Sequence, residues 1–194
     1  MKKQDFLKGK VIIFAAPSGS GKTTLVRHVL EVIPELCFSV SCTTRAPRRE
    51  EKHGRDYYFL SPEVFREKIS ADAFVEYEEV YPDQFYGTLW SEVENIWEQD
   101  KIVIFDVDVK GAISLKNIFG SRALSLFISP PSVEELKRRL INRNTDSAKS
   151  IEIRARKAAK EMKYKNSFDA VIINENLDRA KAEAEKKIRE FLDR

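Results

Sequence analysis

A lysine and a threonine close a run of small residues near the start of the chain: Ala16-Pro17-Ser18-Gly19-Ser20-Gly21-Lys22-Thr23. Small residues allow successive backbone N–H groups to converge on phosphate oxygens. A helix beginning at the end of such a run adds unpaired donors and a positive dipole end. Lys22 is then placed to reach β- and γ-phosphates, and the Thr23 hydroxyl to ligate Mg²⁺. The flanks give the run its context. Val11-Ile12-Ile13-Phe14-Ala15 reads as a buried strand, and Val26, Val29, Leu30 and Ile33 recur at helical spacing after it. Strand, glycine-rich turn, Gly-Lys-Thr and helix together distinguish a phosphate loop from an ordinary loop with an exposed lysine. Ala16 occupies a position where glycine is usual. Its Cβ is tolerated if φ is negative there, and costs about 1 kcal/mol or more if it is not.

Other residues could serve the same chemistry. Asp106-Val107-Asp108 ends the apolar run Ile102-Val103-Ile104-Phe105, so alternation puts both carboxylates on one side of a strand end. One can hold Mg²⁺, directly or through water, and the other is left for substrate. The bland alternative is a pair of capping or solvated acids. Arg45 and Arg48 flank Pro47, while Arg143 and Arg154 flank a later loop. Guanidinium forks bind phosphate oxygens bidentately. With 34 basic residues in the chain, ordinary surface charge competes evenly with that reading. Tyr57 and Tyr86 could donate to phosphate or simply cap a small core. Glu76, between Val75 and Tyr77, is by pattern alone most simply the wet face of a strand.

The elements that must position these residues follow in order. Phe38 to Cys42 reads as a second strand, and Thr43 to Glu51 as a charged loop. Tyr57 to Leu60 is a short strand, and Ser61-Pro62-Glu63 caps and opens a helix that fades near Ala71. Phe74 to Tyr77 alternates as a strand, and Tyr81 to Gly87 is expected as loop. Ser91 to Glu94 is a capping box opening another helix. Leu124 to Ile128 and Ala170 to Ile173 are further buried strands. Ser132 caps a helix carrying Leu136 and Leu140. A basic helix is expected from Ser150 to about Lys165. Asp178 is expected to cap a last helix with the stripe Ala180, Ala184, Ile188 and Phe191.

Apolar strands alternating with helices predict an α/β fold: a P-loop core whose parallel sheet is flanked by helices. Two insertions interrupt it, a small mixed α/β segment and a helical lid. The expected division is core at 1–44, 90–131 and 164–194, insertion at 45–89 and lid at 132–163. A chain of 194 residues with 42% hydrophobic content supports a core of this kind. A net charge of +3 is too small to argue for nucleic acid or a membrane surface. Cys37 and Cys42 have neither disulfide nor metal spacing. There is no apolar stretch of about 18 residues and no signal-peptide pattern after Met1-Lys2-Lys3. A soluble, cytoplasmic protein is expected.

At this point nearly the whole chain resembles the guanylate kinases. The likeness rests on Pro17 to Leu25, on Phe38-Ser39-Val40-Ser41-Cys42-Thr43-Thr44-Arg45-Ala46-Pro47-Arg48, and on Gly54 to Phe59. It continues with Phe74 to Tyr77, Tyr86-Gly87-Thr88, Asp106 to Gly111, Ile128 to Ser132 and Arg143 to Ser147. Many nucleotide enzymes share the loop alone. The Ser-x-Thr-Thr-Arg-x-Pro-Arg stretch, Ser41 to Arg48, together with Asp-x-Asp is far more specific. The resemblance implies phosphoryl transfer from ATP to GMP or dGMP, with Mg²⁺, in a monomer or homodimer. Ala16, Pro17, Ser18, Gly19, Ser20, Gly21, Lys22, Thr23 and Thr24 would hold ATP. Arg45, Arg48, Tyr57 and Tyr86 would grip the GMP phosphate. Ser41, Glu76, Thr88 and Asp108 would read guanine, and Thr23 and Asp106 would serve the metal. Arg143 and Arg154, from the lid, would join Lys22 and Arg45 as the catalytic charges.

The assignments make chemical sense. Guanine offers donors at N1 and N2, which acidic acceptors match, whereas adenine N1 would face them with an acceptor. No protein nucleophile is needed, and the acceptor phosphate, with a second pKa of about 6, needs no general base. Another nucleoside monophosphate kinase, for AMP, UMP or dTMP, is disfavoured by Glu76 and Asp108. A non-enzymatic binding module is disfavoured by Lys22, Thr23 and the lid arginines. Besides Ala16, the departures from the family pattern are Glu50, Asn144 and the loop Tyr81-Pro82-Asp83-Gln84-Phe85. They bear on loop conformation and rate rather than on any side chain with a chemical role.

Overall fold

The computed structural model describes residues 9–48, 50–142 and 148–194. Arg143 and Asn144 therefore lie outside the described residues. The chain falls into two compact units, one built on Cys37–Val103, the other on Lys10–Leu36 and Ile104–Arg194. It passes between them within two strands of the larger sheet.

That sheet has five strands in the order β2-β7-β1-β8-β9: β1 Val11–Ala15, β2 Leu36–Phe38, β7 Ile102–Val107, β8 Ala123–Ser129 and β9 Ala170–Ile173. β1 pairs in parallel with β8, Val11 opposite Ala123, and β8 with β9, Leu126 opposite Ala170. Every residue of β1 and β8 is buried, as near-continuous apolar strands covered on both faces must be. The covering helices are α1 Lys22–Val32, α4 Val109–Phe119 and α7 Leu177–Leu192. The stripe Ala180, Ala184, Ile188 and Phe191 is the buried face of α7. Asn176 rather than Asp178 caps this helix, its side chain accepting from Arg179 N. Both residues suit the position, and the first residue with non-helical dihedrals takes it. Helices α5 Val133–Asn142 and α6 Ala148–Glu161 follow β8 and share a small core of Leu136, Leu140 and Ala158. α6 starts at Ala148, ahead of the expected Ser150, and tightens into a 3-10 segment at Met162–Ser167.

The other unit holds a four-stranded mixed sheet, order β4-β3-β6-β5: β3 Cys42–Thr43, β4 Tyr58–Phe59, β5 Phe74–Tyr81 and β6 Gln84–Leu89. Three sequence expectations are corrected in this unit. Phe38 to Cys42 is not one strand, because residues 39–41 break it into β2 and β3, which belong to different sheets. Tyr81 to Gly87 is not a loop but a tight hairpin: Tyr81 pairs with Gln84, and Asp83, at φ 60, makes the turn. An aspartate tolerates that left-handed conformation better than most residues. Helix α3, Trp90–Trp97, begins directly after Leu89 with no side-chain cap, so the Ser91 capping box is not used. Helix α2, Pro62–Ser70, starts as expected, with Ser61 accepting from Val64 N. Its Phe65 is stacked on Phe74 at 4.3 Å and on Phe85 at 5.2 Å. With Cys42 these rings form the core of the unit.

Candidate active site

Chemistry-bearing residues gather in two places, one in each unit. In the larger unit the loop after β1 has the shape its residue types require. Gly19 and Gly21 sit at φ 96 and φ 89, which L-residues rarely adopt. Among the described residues, only Asp72, Asp83 and Asp100 combine a side chain with positive φ. Ala16 is therefore at negative φ, and its Cβ is accommodated without backbone strain. Ser20 N donates to Pro17 O at 3.1 Å, closing the turn, and Gly21 caps α1. Lys22 and Thr23 thus open the helix, where backbone donors and the dipole favour an anion.

Lys22 Nζ donates to Val107 O at 2.6 Å and forms an ion pair with Asp106, so the end of β7 holds the lysine beside the loop. Asp108 is the N-cap of α4, its Oδ1 accepting from Gly111 N at 2.8 Å. One of its oxygens thus has the capping role that the sequence left open as the bland alternative. Helices α5 and α6 reach the same loop. Leu140 of α5 lies 3.2 Å from where a Cβ on Gly19 would stand, and Arg154 Nη1 of α6 is 3.5 Å from Ser18 Oγ. Glu161, at the end of α6, is paired with Lys157 at 3.6 Å. Burial raises its pKa. Lys157 opposes that rise, Asp108 adds to it, and Lys22 opposes it.

A divalent cation fits this set of donors. Mg²⁺ takes hard oxygen ligands and characteristically uses one or two protein groups plus phosphate oxygens, not a closed protein cage. The Thr23 hydroxyl and the Asp106 carboxylate are of that kind. No cluster of three His, Cys, Asp or Glu occurs among the described residues.

In the smaller unit, alternation sorts one face of the sheet from the other. Cys42 pairs with Gly87 and Tyr58, and these, with Phe85, face the aromatic core. The opposite face carries Thr43 opposite Tyr86 and Phe59, and Glu76 opposite Thr88. Thr88 is fully buried and donates its one hydroxyl proton to Glu76 Oε1 at 3.1 Å. Its contact with Ser41 Oγ, at 3.2 Å, must then use the Ser41 proton. The consequence is directional. Ser41 presents lone pairs and Glu76 a carboxylate, so the row offers acceptors to a ligand edge that carries donors.

Beside this row lie the groups expected at a phosphate. Arg45 sits over Tyr57, with its guanidinium carbon 5.1 Å from the ring centroid, and Tyr57 meets Tyr86 edge-on at 6.0 Å. Both guanidinium nitrogens Nη1 and Nη2 of Arg45 bond Glu51 at 2.7 Å, and Glu51 also accepts from Arg48 N at 2.8 Å. The Arg45 bond holds the Glu51 carboxyl at about 2, well below its ordinary range. The same bond raises Arg45. Glu51 thus fixes both the side chain of one arginine and the backbone of the other. Glu92 does similar work, accepting from Val40 N at 3.0 Å and from Tyr58 OH at 3.2 Å, which pins the backbone next to Ser41.

The sequence model of the guanylate kinase family matches residues 8–192. The chain belongs to the guanylate kinase family. A guanylate kinase of Bacteroides fragilis is 53% identical over 185 residues, covering 95% of this chain and 91% of the relative. One of Salinibacter ruber is 52% identical over 182 residues, covering 94% and 96%. The crystal structure of a guanylate kinase from Anaplasma phagocytophilum superposes with a TM-score of 0.73 at 29% identity, over 95% of this chain and 88% of that one. Membership makes the resemblance read from the motifs a finding, and with it the α/β architecture.

Set against the family reading, Ser41, Arg45, Arg48, Tyr57, Glu76, Tyr86 and Thr88 all fall in the smaller unit, and the direct contacts link Ser41, Thr88 and Glu76, and Arg45, Tyr57 and Tyr86. The loop residues, Asp106, Asp108 and Arg154 fall in the larger unit. Sequence reasoning missed Glu51, Glu92, Glu161 and Asn174. Glu92 and Asn174 bond partners 34 or more residues away, and the local pairs of Glu51 and Glu161 with Arg45 and Lys157 look like any other surface ion pair in a charged sequence.

Proposed function

We propose that this chain is an ATP:GMP phosphotransferase that reads guanine with the Ser41–Thr88–Glu76 row. That row is the observation that carries the reading. A fixed chain of protons leaves acceptors toward the ligand, and the guanine N1–H and N2–H₂ groups are donors in matching array. Adenine would set its N1 lone pair against them. Sites built on such bonds reject the wrong partner by roughly 10⁴ or more. Arg45, Arg48, Tyr57 and Tyr86 bind the phosphate of GMP. Because these residues address base and phosphate, dGMP is a substrate as well. Asp108 contributes a further acceptor toward guanine through the oxygen that does not cap α4.

The loop from Ala16 to Thr24 binds the phosphates of ATP. An oxygen of the GMP phosphate attacks the γ-phosphorus, and the bond from that phosphorus to the β–γ bridging oxygen breaks, its electron pair leaving with ADP. No covalent enzyme intermediate forms, and the acceptor phosphate is already largely deprotonated near neutrality. Catalysis consists of placing the two nucleotides and neutralising charge with Lys22, Arg45, Arg154 and Arg143. When bound, Mg²⁺ would be held by Thr23 and Asp106 and would supply further charge neutralisation on the phosphates. The physiological role proposed with it is recycling of guanine monophosphates, in a cytoplasmic monomer or homodimer.

Lys22→Ala tests the loop assignment. The expected result is a fall in kcat of about 10²–10³-fold, the cost of losing one preorganised charge donor, with far-UV circular dichroism unchanged. A folded variant with near-normal kcat would remove Lys22 from the reaction.

A further inference from the structure

The residue after β9, Asn174, is 5% exposed, and nothing in the sequence reading assigns it a role. Its polar groups reach three different elements. The backbone N donates to Ser129 O at 2.8 Å, at the end of β8. The backbone O accepts from Arg139 Nη2 of α5 at 2.8 Å, and Arg139 is itself held by Glu135 at 2.8 Å. The side-chain Nδ2 donates to Ser20 O at 2.7 Å, inside the phosphate loop. The amide lies so close to the loop that a Cβ on Gly21 would collide with it.

Ser20 O belongs to the same planar trans peptide as Gly21 N–H, and in such a unit the carbonyl and the N–H point in opposite directions. Drawing Ser20 O toward Asn174 therefore turns Gly21 N–H away from Asn174. Peptide direction is what makes a loop of this kind bind anions. We propose that Asn174 is a positioning residue of the phosphate loop, holding the Ser20–Gly21 peptide in the orientation that binds the phosphates of ATP, with Arg139 tying that hold to α5. This rests on the loop being the ATP phosphate site.

A purely structural role, satisfying one buried carbonyl, predicts lost stability and nothing more. The test separates the two. Dissociation constants of MgATP, of inorganic tripolyphosphate and of GMP are measured by calorimetry for the wild type and for Asn174→Ala, Asn174→Asp and Arg139→Ala. Tripolyphosphate carries no base or sugar, so it reports on the phosphate loop alone. In Asn174→Ala, MgATP and tripolyphosphate are expected to weaken by about tenfold, the fold-change of losing the Gly21 N–H bond to a charged phosphate oxygen. Asn174→Asp, which sets a carboxylate against Ser20 O, weakens them at least as much. Arg139→Ala weakens them less, and GMP binding stays within twofold throughout. Unchanged tripolyphosphate and MgATP affinity in Asn174→Ala, whatever its melting temperature, overturns the proposal. If neither Asn174 variant folds, Asn174→Leu, close in volume and without a donor, takes their place under the same criterion. A wild type that binds neither MgATP nor tripolyphosphate defeats the reading of the loop instead.

Discussion

Thr88 shows how much one hydroxyl can decide. It has a single proton, and that proton goes to Glu76. The direction of the neighbouring bond to Ser41 follows, and with it the polarity that the row presents to a ligand. Glu76→Gln reverses part of that polarity by placing an amide N–H₂ where an acceptor stood. The KM for GMP is expected to rise by about tenfold or more, the scale of a bond to a charged group, while the KM for ATP changes little. The ratio of GMP to AMP turnover falls with it. Steady-state kinetics with each monophosphate in turn check this, and an unchanged KM for GMP removes Glu76 from base recognition. Arg45 makes the complementary point. The sequence marks it as a phosphate clamp, yet its two Nη atoms are committed to Glu51, which also holds the Arg48 backbone. The acid holds one arginine by its side chain and the other by its backbone. Its role was not legible in the sequence, because in a charged loop of this composition any acid could have been the partner.

At the scale of elements, glycines carry more of the design than the apolar runs do. Gly87 in β6 lies where a Cβ would come within 2.8 Å of Glu76 O and of Tyr77 Cβ. The absence of a side chain allows β5 and β6 to approach closely, which in turn brings Thr88 to Glu76. Gly87→Ala is expected to destabilise the protein by about 1–3 kcal/mol through overpacking. At roughly 2–4 °C per kcal/mol for a chain of this size, the fall in melting temperature is easily measured by calorimetry. A melting temperature within 1 °C of wild type would show that the strands separate without cost. The buried strands β1 and β8, the loop and the stripe of α7 were legible in the sequence, because burial on both faces and helical periodicity leave strong patterns. The hairpin of β5 and β6 was not. Its turn uses Pro82 and Asp83 rather than a glycine, and Tyr81 and Gln84 show no alternation of hydrophobic and polar residues. The start of α3 and the caps of α3 and α7 differed as well. At α7, Asn176 and Asp178 both suit the cap, and Asn176 takes it; α3 runs on directly from the end of β6, after Leu89, without a side-chain cap.

At the scale of the whole molecule, the two compact units divide the chemistry. The unit on Cys37–Val103 carries the acceptor row and the arginine cluster, and the other carries the glycine-rich loop, Asp106 and helices α5 and α6. The loop from Ala16 to Thr23 is one short stretch of sequence, whereas the acceptor row draws Ser41, Glu76 and Thr88 from separate elements. What the sequence does not give is the support beneath them. Asn174 stands 154 residues from the loop carbonyl it binds. Glu161 is brought near Lys22 and Asp108 only by the fold of α6. Within the guanylate kinase family, the central claim for this chain is that a phosphoryl group passes from ATP to a monophosphate chosen for its guanine. The measurement that tests it most directly is formation of ADP from Mg·ATP with GMP, dGMP, AMP, UMP and dTMP offered separately at equal concentration. ADP formation with GMP and dGMP, and at rates lower by roughly 10⁴ with the other three, is the predicted result. Comparable turnover with AMP, UMP or dTMP, or none with GMP from folded protein, would contradict the account.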